Sequence, residues 1–342
     1  MKKIAYIEID THAEIAADFM DLMEDSKEIS VDYYFSKKID SQISSNQENV
    51  FLSDSSMILE QLRAKKYDFV MIGTAHRYFD TFLEITRKYK SAIIVHNLNF
   101  SKTSPLDLIK SILRTDQLFR LKLLLKEGLL QSANVYKNAA KLFVLDEALS
   151  SQTYAFLPLF YSKEFVFSKN EKLTVVIPGG VSQKRRDYAH VLDCIQKSEQ
   201  AKKIEFVFLG KAKGEELEKI KKVSGNFSFK YFTERVSQED FEFWMKKADV
   251  LWCPIQEKTE FFSQKEIYGK TKMTGNLGDA IKFGKAAVFP ENYPSDLAFI
   301  VPEKKDVILQ LNELTDFQFN FQKEFNKKRV LQKLEEKLLQ VT

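Results

Sequence analysis

The chain has 342 residues, 44% of them apolar and 29% charged, which is more than one compact core usually holds, so two domains are expected. A formal charge of +4 is too small for the concentrated basic stripe of a nucleic-acid binder. Two cysteines, Cys194 and Cys253, lie far apart in apolar stretches without zinc spacing; they read as free buried thiols in a reducing compartment rather than a disulfide framework.

The amino terminus, MKKIAYIEID, carries charge within its first apolar run and reads as a strand, not a signal peptide. Ile15, Phe19, Leu22 and Met23 then recur at helical spacing. Apolar runs at 31–36, 67–73, 91–97 and 141–145 alternate with helical stretches near 55–65 and 78–89 and with a long helical region before 141. Such alternation predicts a parallel sheet covered on both faces, the doubly wound α/β class.

The polar segment 158–171 reads as a linker, after which the rhythm restarts. Strands are expected at 172–180, 204–210, 227–232, 249–255 and 285–290, with helices at 187–199, 214–222 and 238–247 and a closing Lys/Glu-rich helix at 323–340. The expected organisation is two Rossmann-like domains, 1–160 and 161–322, facing a cleft beyond the carboxyl ends of their strands. No run of about 18 apolar residues occurs, so no membrane span is expected and the protein reads as cytoplasmic.

Glycines are distributed unevenly: Gly73 and Gly128 precede residue 170 and the other nine follow it. Glycine lets backbone amides approach phosphate oxygens, which puts an anion site in the second domain. Two stretches there fit it. In IPGGVSQKRRDY (177–188), Gly179 and Gly180 end a strand and Lys184, Arg185 and Arg186 lie near the next helix start. Cations oppose the macrodipole at that end, so either they face an anion or the stretch is a tight turn before a solvated helix. In EIYGKTKMTGNLGDAIKF (266–283), Thr274, Gly275 and Asn276 open a helix whose free amides suit a diphosphate. Lys270 and Lys272 add charge, the Thr274 hydroxyl a hydrogen bond, and Asp279 a carboxylate for ribose hydroxyls; a capped helix after a basic loop is the plain alternative. Neither stretch is a P-loop or a GxGxxG fingerprint.

The paired α/β halves, the glycine–arginine loop and YGKTKMTGNLGDAIKFGKAAVFP together resemble GT-B glycosyltransferases, especially bacterial enzymes of surface-polysaccharide and glycan synthesis. The resemblance covers essentially the whole chain and implies that 323–342 packs back on the first domain. It implies a nucleotide-sugar donor, such as a UDP- or GDP-sugar, held by the second domain, a glycan or lipid-linked acceptor at the first, and no metal or other cofactor. Arg185 or Arg186 and Lys270 or Lys272 would contact the diphosphate, with Gly179, Gly180, Thr274, Gly275 and Asn276 shaping the loops. The usual glutamate pair with seven residues between is incomplete: Asp279 stands for the second, five residues before Gly284, and Thr271 occupies the first position. Glu260 and Glu266, on the preceding loop, would act on the donor sugar instead.

In the first domain, His12 follows the first strand and His96 ends another, where a near-neutral imidazole can take a proton from an acceptor hydroxyl. His12 is equally suited to capping its helix, and His96 to bonding loop backbone. Asp10 and Glu14 are rival bases; His76 and His190 read as surface or helix residues without a role. The stretch 105–141 mixes Leu106, Ile109, Leu113, Leu118, Phe119, Leu121, Leu124 and Leu125 with Lys110, Arg114, Arg120, Lys122 and Lys126. It suits an anionic membrane surface or packing on the sheet. Phe232 and Trp252 are either stacking partners for a base or core. A sugar-nucleotide epimerase on the same fold and a non-catalytic nucleotide- or glycan-binding module are the competing functions.

Overall fold

The structure, a computed structural model, describes residues 1–341 apart from 46, 113–116 and 166–170. Strands β1 (Lys2–Glu8), β2 (Ile29–Phe35), β3 (Val50–Leu52), β4 (Phe69–Ile72), β5 (Ser91–Ile94), β6 (Lys141–Val144) and β7 (Tyr154–Phe156) form one sheet in the order β3-β2-β1-β4-β5-β6-β7. Next come β8 (Leu173–Pro178), β9 (Ile204–Lys211), β10 (Ser228–Phe232) and β11 (Val250–Trp252), the hairpin β12 (Lys258–Phe261) and β13 (Gln264–Ile267), then β14 (Ala286–Phe289) and β15 (Ile300–Pro302). The second sheet runs β10-β9-β8-β11-β14-β15. Every pair in both large sheets is parallel. Residues 4–8 of β1 and 174–178 of β8 are buried, as continuous apolar strands covered on both faces require.

Several elements escaped the apolar-run reading. Strands β3, β7 and β15 have three residues each, too few for a periodicity. The segment expected as a loop before the glycine-rich helix contains the antiparallel hairpin β12–β13, with Lys258 opposite Ile267 and Phe261 opposite Gln264. The region 105–141 divides into helices Pro105–Ile112, Gln117–Lys126 and Ser132–Asn138; Leu113 and Arg114 lie outside the described residues. The closing helix is two, Phe321–Phe325 and Lys327–Leu339, separated at Asn326, whose side chain caps the second by accepting from Arg329 N at 2.9 Å.

Each sheet changes winding direction at its centre, between β1 and β4 in the first and between β8 and β11 in the second. Ligands of such sheets occupy the crevice beyond the carboxyl ends at this switch point. The two halves share a core through Leu157, Leu159, Phe160 and Tyr161. Helix Gly275–Phe283 packs so closely there that a Cβ on Gly278 would meet the Phe160 ring at 2.8 Å. Helix Lys327–Leu339 lies on the first-half helix Ala13–Met23, and nearby Ser26 Oγ donates to Glu335 at 2.6 Å and Lys327 Nζ to Asp21 at 3.1 Å.

Candidate functional site

At the end of β8 the chain turns through Gly179, whose φ of 105° is open mainly to glycine. The Arg186 guanidinium lies directly over it: a Cβ there would stand 2.2 Å from Nη2. The basic run is a turn preceding the helix Tyr188–Lys197, which Asp187 caps. Arg185 is exposed and Arg186 half-buried. Arg186 Nη2 donates to Asn276 Oδ1 at 3.0 Å, and Asn276 Nδ2 donates to Pro178 O at 3.2 Å and Asp279 Oδ2 at 3.3 Å. The two cationic stretches therefore meet at the switch point of the second sheet.

Helix Gly275–Phe283 starts with Thr274 as its cap, Oγ1 accepting from Asn276 N at 3.4 Å. Thr274 and Asn276 are buried, so their side chains shape the turn; the Thr274 hydroxyl is engaged in the cap instead of lying free for a ligand. Gly275 is exposed with open space around it, leaving the first amides of the helix accessible. Burial pushes the Asp279 carboxyl up to about 6, against the pull of Lys282. Lys282 itself reaches Asp18 in the first half at 3.1 Å. Lys270 is exposed. Lys272 is half-buried, its amine brought down to about 8 by burial, with Glu266 opposing the shift.

The hairpin β12–β13 and the turn after it reach across to the first half. Leu98 N donates to Thr271 O at 2.9 Å, and Asn99 Nδ2 to Lys265 O at 2.8 Å. Glu266 is fully buried and accepts from Phe100 N at 3.0 Å and Asn99 N at 3.4 Å. Its carboxylate ties the halves together, and its proposed contact with a donor sugar does not fit that burial. Glu260 is exposed on β12. The Thr271 hydroxyl accepts from Ile267 N at 2.8 Å.

Facing this from the first half are three imidazoles. His12 and His96 stack with ring centroids 4.1 Å apart and planes 12° apart, and His76 stands edge-on 5.6 Å from His96. His76, read from sequence as a surface residue, is buried. It accepts from Asn97 Nδ2 at 3.1 Å, while Asn97 Oδ1 accepts from Lys272 Nζ. Donors thus run in one direction, Lys272 to Asn97 to His76, and link the cluster to the second half. Burial, reinforced by the neighbouring His12, holds His76 and His96 well below the usual imidazole range.

His12 precedes the first helix at φ 64° and makes no side-chain cap, so the capping alternative fails. Such a conformation is costly for a residue with a Cβ. The ring donates from Nδ1 to the exposed Glu14 at 2.8 Å, which makes Glu14 its orienting partner. Asp10 lies 3.8 Å from Arg77 Nη1, and Arg77 is in turn gripped by Glu127, with Nε 3.0 Å from Oε2. Burial raises Asp10, with Arg77 opposing.

Among the described residues no group of three His, Cys, Asp or Glu side chains is placed to hold a metal ion. The sequence matches no family model and no curated protein. Solved structures do match along the full length. Anabaena HepE in complex with UDP-glucose superposes with a TM-score of 0.65 at 10% identity, covering 99% of this chain and 100% of that one. The lipopolysaccharide outer core galactosyltransferase WaaB gives 0.59 at 10% identity, again over 99% and 100%. The chain has the GT-B fold. The UDP-GlcNAc 2-epimerase of Neisseria meningitidis bound to UDP-GlcNAc also shares the architecture, at 0.55 and 12% identity over 99% and 100%.

On this GT-B frame the remaining sequence expectations sort by burial. Trp252 is core, its Nε1 donating to Glu303 at 3.0 Å, so it is no base-stacking partner; Phe232 is half-buried at the end of β10. Cys253 is buried, but Cys194 is only half-buried, beside the exposed His190. Arg120 is buried, with Nη1 2.6 Å from both Ser111 O and Ser263 Oγ. It is a structural tie to the hairpin tip rather than a lipid-facing charge. Glu8, Thr74, His76 and Asn97 also belong to the hydrogen-bonded cluster around His96. Of these, Glu8, a charged residue inside the apolar run of β1, gave the one signal visible in the sequence.

Proposed function

We propose that this GT-B protein is a glycosyltransferase that moves a sugar from a nucleoside-diphosphate donor to a glycan or lipid-linked acceptor in bacterial surface-glycan synthesis, without a metal ion. The observation that carries the reading is the Arg186–Asn276 junction at the second switch point, with Lys272 of the same stretch linked through Asn97 to the histidine cluster. The diphosphate lies against Gly179, Gly180 and the open amides at Gly275. Arg185, Arg186, Lys270 and Lys272 neutralise the charge that develops as it departs. His12 and His96 face the acceptor hydroxyl.

Exposed side chains support a lipid-linked acceptor. Leu106 (69% exposed), Leu118 (86%) and Leu125 (73%) stand out with Ile109, Phe119 and Leu121. Lys110, Lys122 and Lys126 are exposed among them. Apolar groups between lysines suit an anionic leaflet, each lysine adding about 1 kcal/mol near its surface. No helix among the described residues is long and apolar enough to cross a membrane, so this contact is peripheral.

The likeness to an epimerase makes donor epimerisation the second reading. Incubating the protein with UDP- and GDP-sugars and following the products by NMR separates the two. Donor hydrolysis or transfer without epimer supports the transferase; a 2-epimer as sole product overturns it.

A further inference from the structure

Glu8 ends β1 fully buried, and no cation pairs with it among the described residues. Its Oε1 accepts weakly from Asp10 N and Thr11 N, both at 3.3 Å, and its Oε2 is 2.6 Å from Thr74 Oγ1. A lone buried carboxyl at the switch point of a sheet is costly and calls for a role. The Thr74 hydroxyl also stands 3.4 Å from His96 Nε2, which is 2.9 Å from Gly73 O. A carbonyl only accepts, so Nε2 carries the proton and Nδ1 is the ring's free lone pair. His96 is half-buried, and its other neighbours are the rings of His12 and His76.

We propose that Glu8 is the terminal proton acceptor of the site, reached from the cleft through His96 and Thr74. In transfer, the acceptor oxygen forms its bond to the anomeric carbon as the bond from that carbon to the diphosphate oxygen breaks, and the diphosphate leaves with the electron pair. The acceptor proton passes to His96 Nδ1, the Nε2 proton to Thr74, and the Thr74 proton to Glu8, which later returns it to solvent. Burial raises Glu8 to about 8, so the accepting form is its ionised fraction, which grows as pH approaches 8; burial and the neighbouring His12 and His76 lower His96, so the proton moves toward that carboxylate. The other groups acting on the pair are Asp10 and the buried Tyr6 on Glu8, and Lys272 on His96. Glu14 touches His12, and Arg77 touches Asp10.

The relay's role in transfer rests on the glycosyltransferase reading; the coupling of Glu8 to His96 does not. In the ¹⁵N-labelled full chain, the His96 ring nitrogens, assigned by comparison with His96→Gln, are followed across pH 6–10. Their signals are expected to step near pH 8 as Glu8 ionises and Thr74 reorients. The step disappears in Glu8→Gln and Thr74→Val and persists in Thr74→Ser. In turnover, Thr74→Val is expected to lose at least tenfold in kcat, with donor KM unchanged, and Thr74→Ser to recover most of it. A His96 ring protonated at Nδ1, or a step unaltered in both Glu8→Gln and Thr74→Val, overturns the relay whether or not the protein transfers sugar. A parent that shows the step but transfers nothing overturns the function reading alone.

Discussion

Arg186 and Asn276, ninety positions apart, are joined by a 3.0 Å hydrogen bond that locks the turn after β8 to the start of helix Gly275–Phe283. The proposed anion site is therefore assembled before any ligand arrives, and a diphosphate would not need to order it. Arg186→Ala and Lys270→Ala should each weaken UDP or GDP binding by about 1–3 kcal/mol, the range for charge-assisted contacts. Calorimetry checks this; unchanged affinity in both removes the phosphate assignment.

Gly179 carries the positive φ and the close approach of the same guanidinium. Gly179→Ala should displace Arg186 and reduce nucleotide affinity as strongly as Arg186→Ala. Gly180→Ala, with nothing within 4 Å of the new Cβ, should bind almost normally. Equal affinities for the two alanine variants would disprove the packing argument.

Lys272, lowered to about 8 by burial, is charged below that pH and neutral above it. Nucleotide affinity should accordingly fall as pH rises from 7 to 9. Lys272→Arg keeps its charge throughout, so its affinity should decline less over this range. Titrations at four pH values suffice, and a parent curve without that decline would exclude Lys272 from the diphosphate contact.

Glu8 makes an opposite kind of claim, on stability. Its carboxyl is raised from 4.5 to about 8 in the folded chain, so between those values the folded state holds a proton that the unfolded state has lost. Stability should fall as pH rises through this window, by at most about 1.4 kcal/mol per unit, and level off above it. Glu8→Gln should flatten that slope in urea unfolding, whereas parallel slopes for parent and variant would refute the buried, protonated carboxyl.

The leucine-rich helices yield a contrast between neighbours. Leu118→Ser with Leu125→Ser should reduce flotation with anionic vesicles and leave the melting temperature nearly unchanged, because both side chains are solvent-exposed. Arg120→Ala should instead destabilise the fold by about 1–3 kcal/mol through its unsatisfied partners. A parent protein that ignores such vesicles would end the membrane reading.

Read alone, the sequence determined the class of fold. Apolar runs alternating with helical periodicity follow from burying a parallel sheet on both faces, a local demand written into residue type. It also supplied His12 and His96, at strand ends. What only the tertiary structure decided was which side chains share space. His76 and Glu8 join the cluster, Arg120 turns inward, and Glu266, on the hairpin, is buried against the loop at Asn99 and Phe100 of the first half. Those outcomes depend on contacts between residues tens to hundreds of positions apart, and burial, which sets a carboxyl's or imidazole's proton affinity, exists only once distant segments have packed around it.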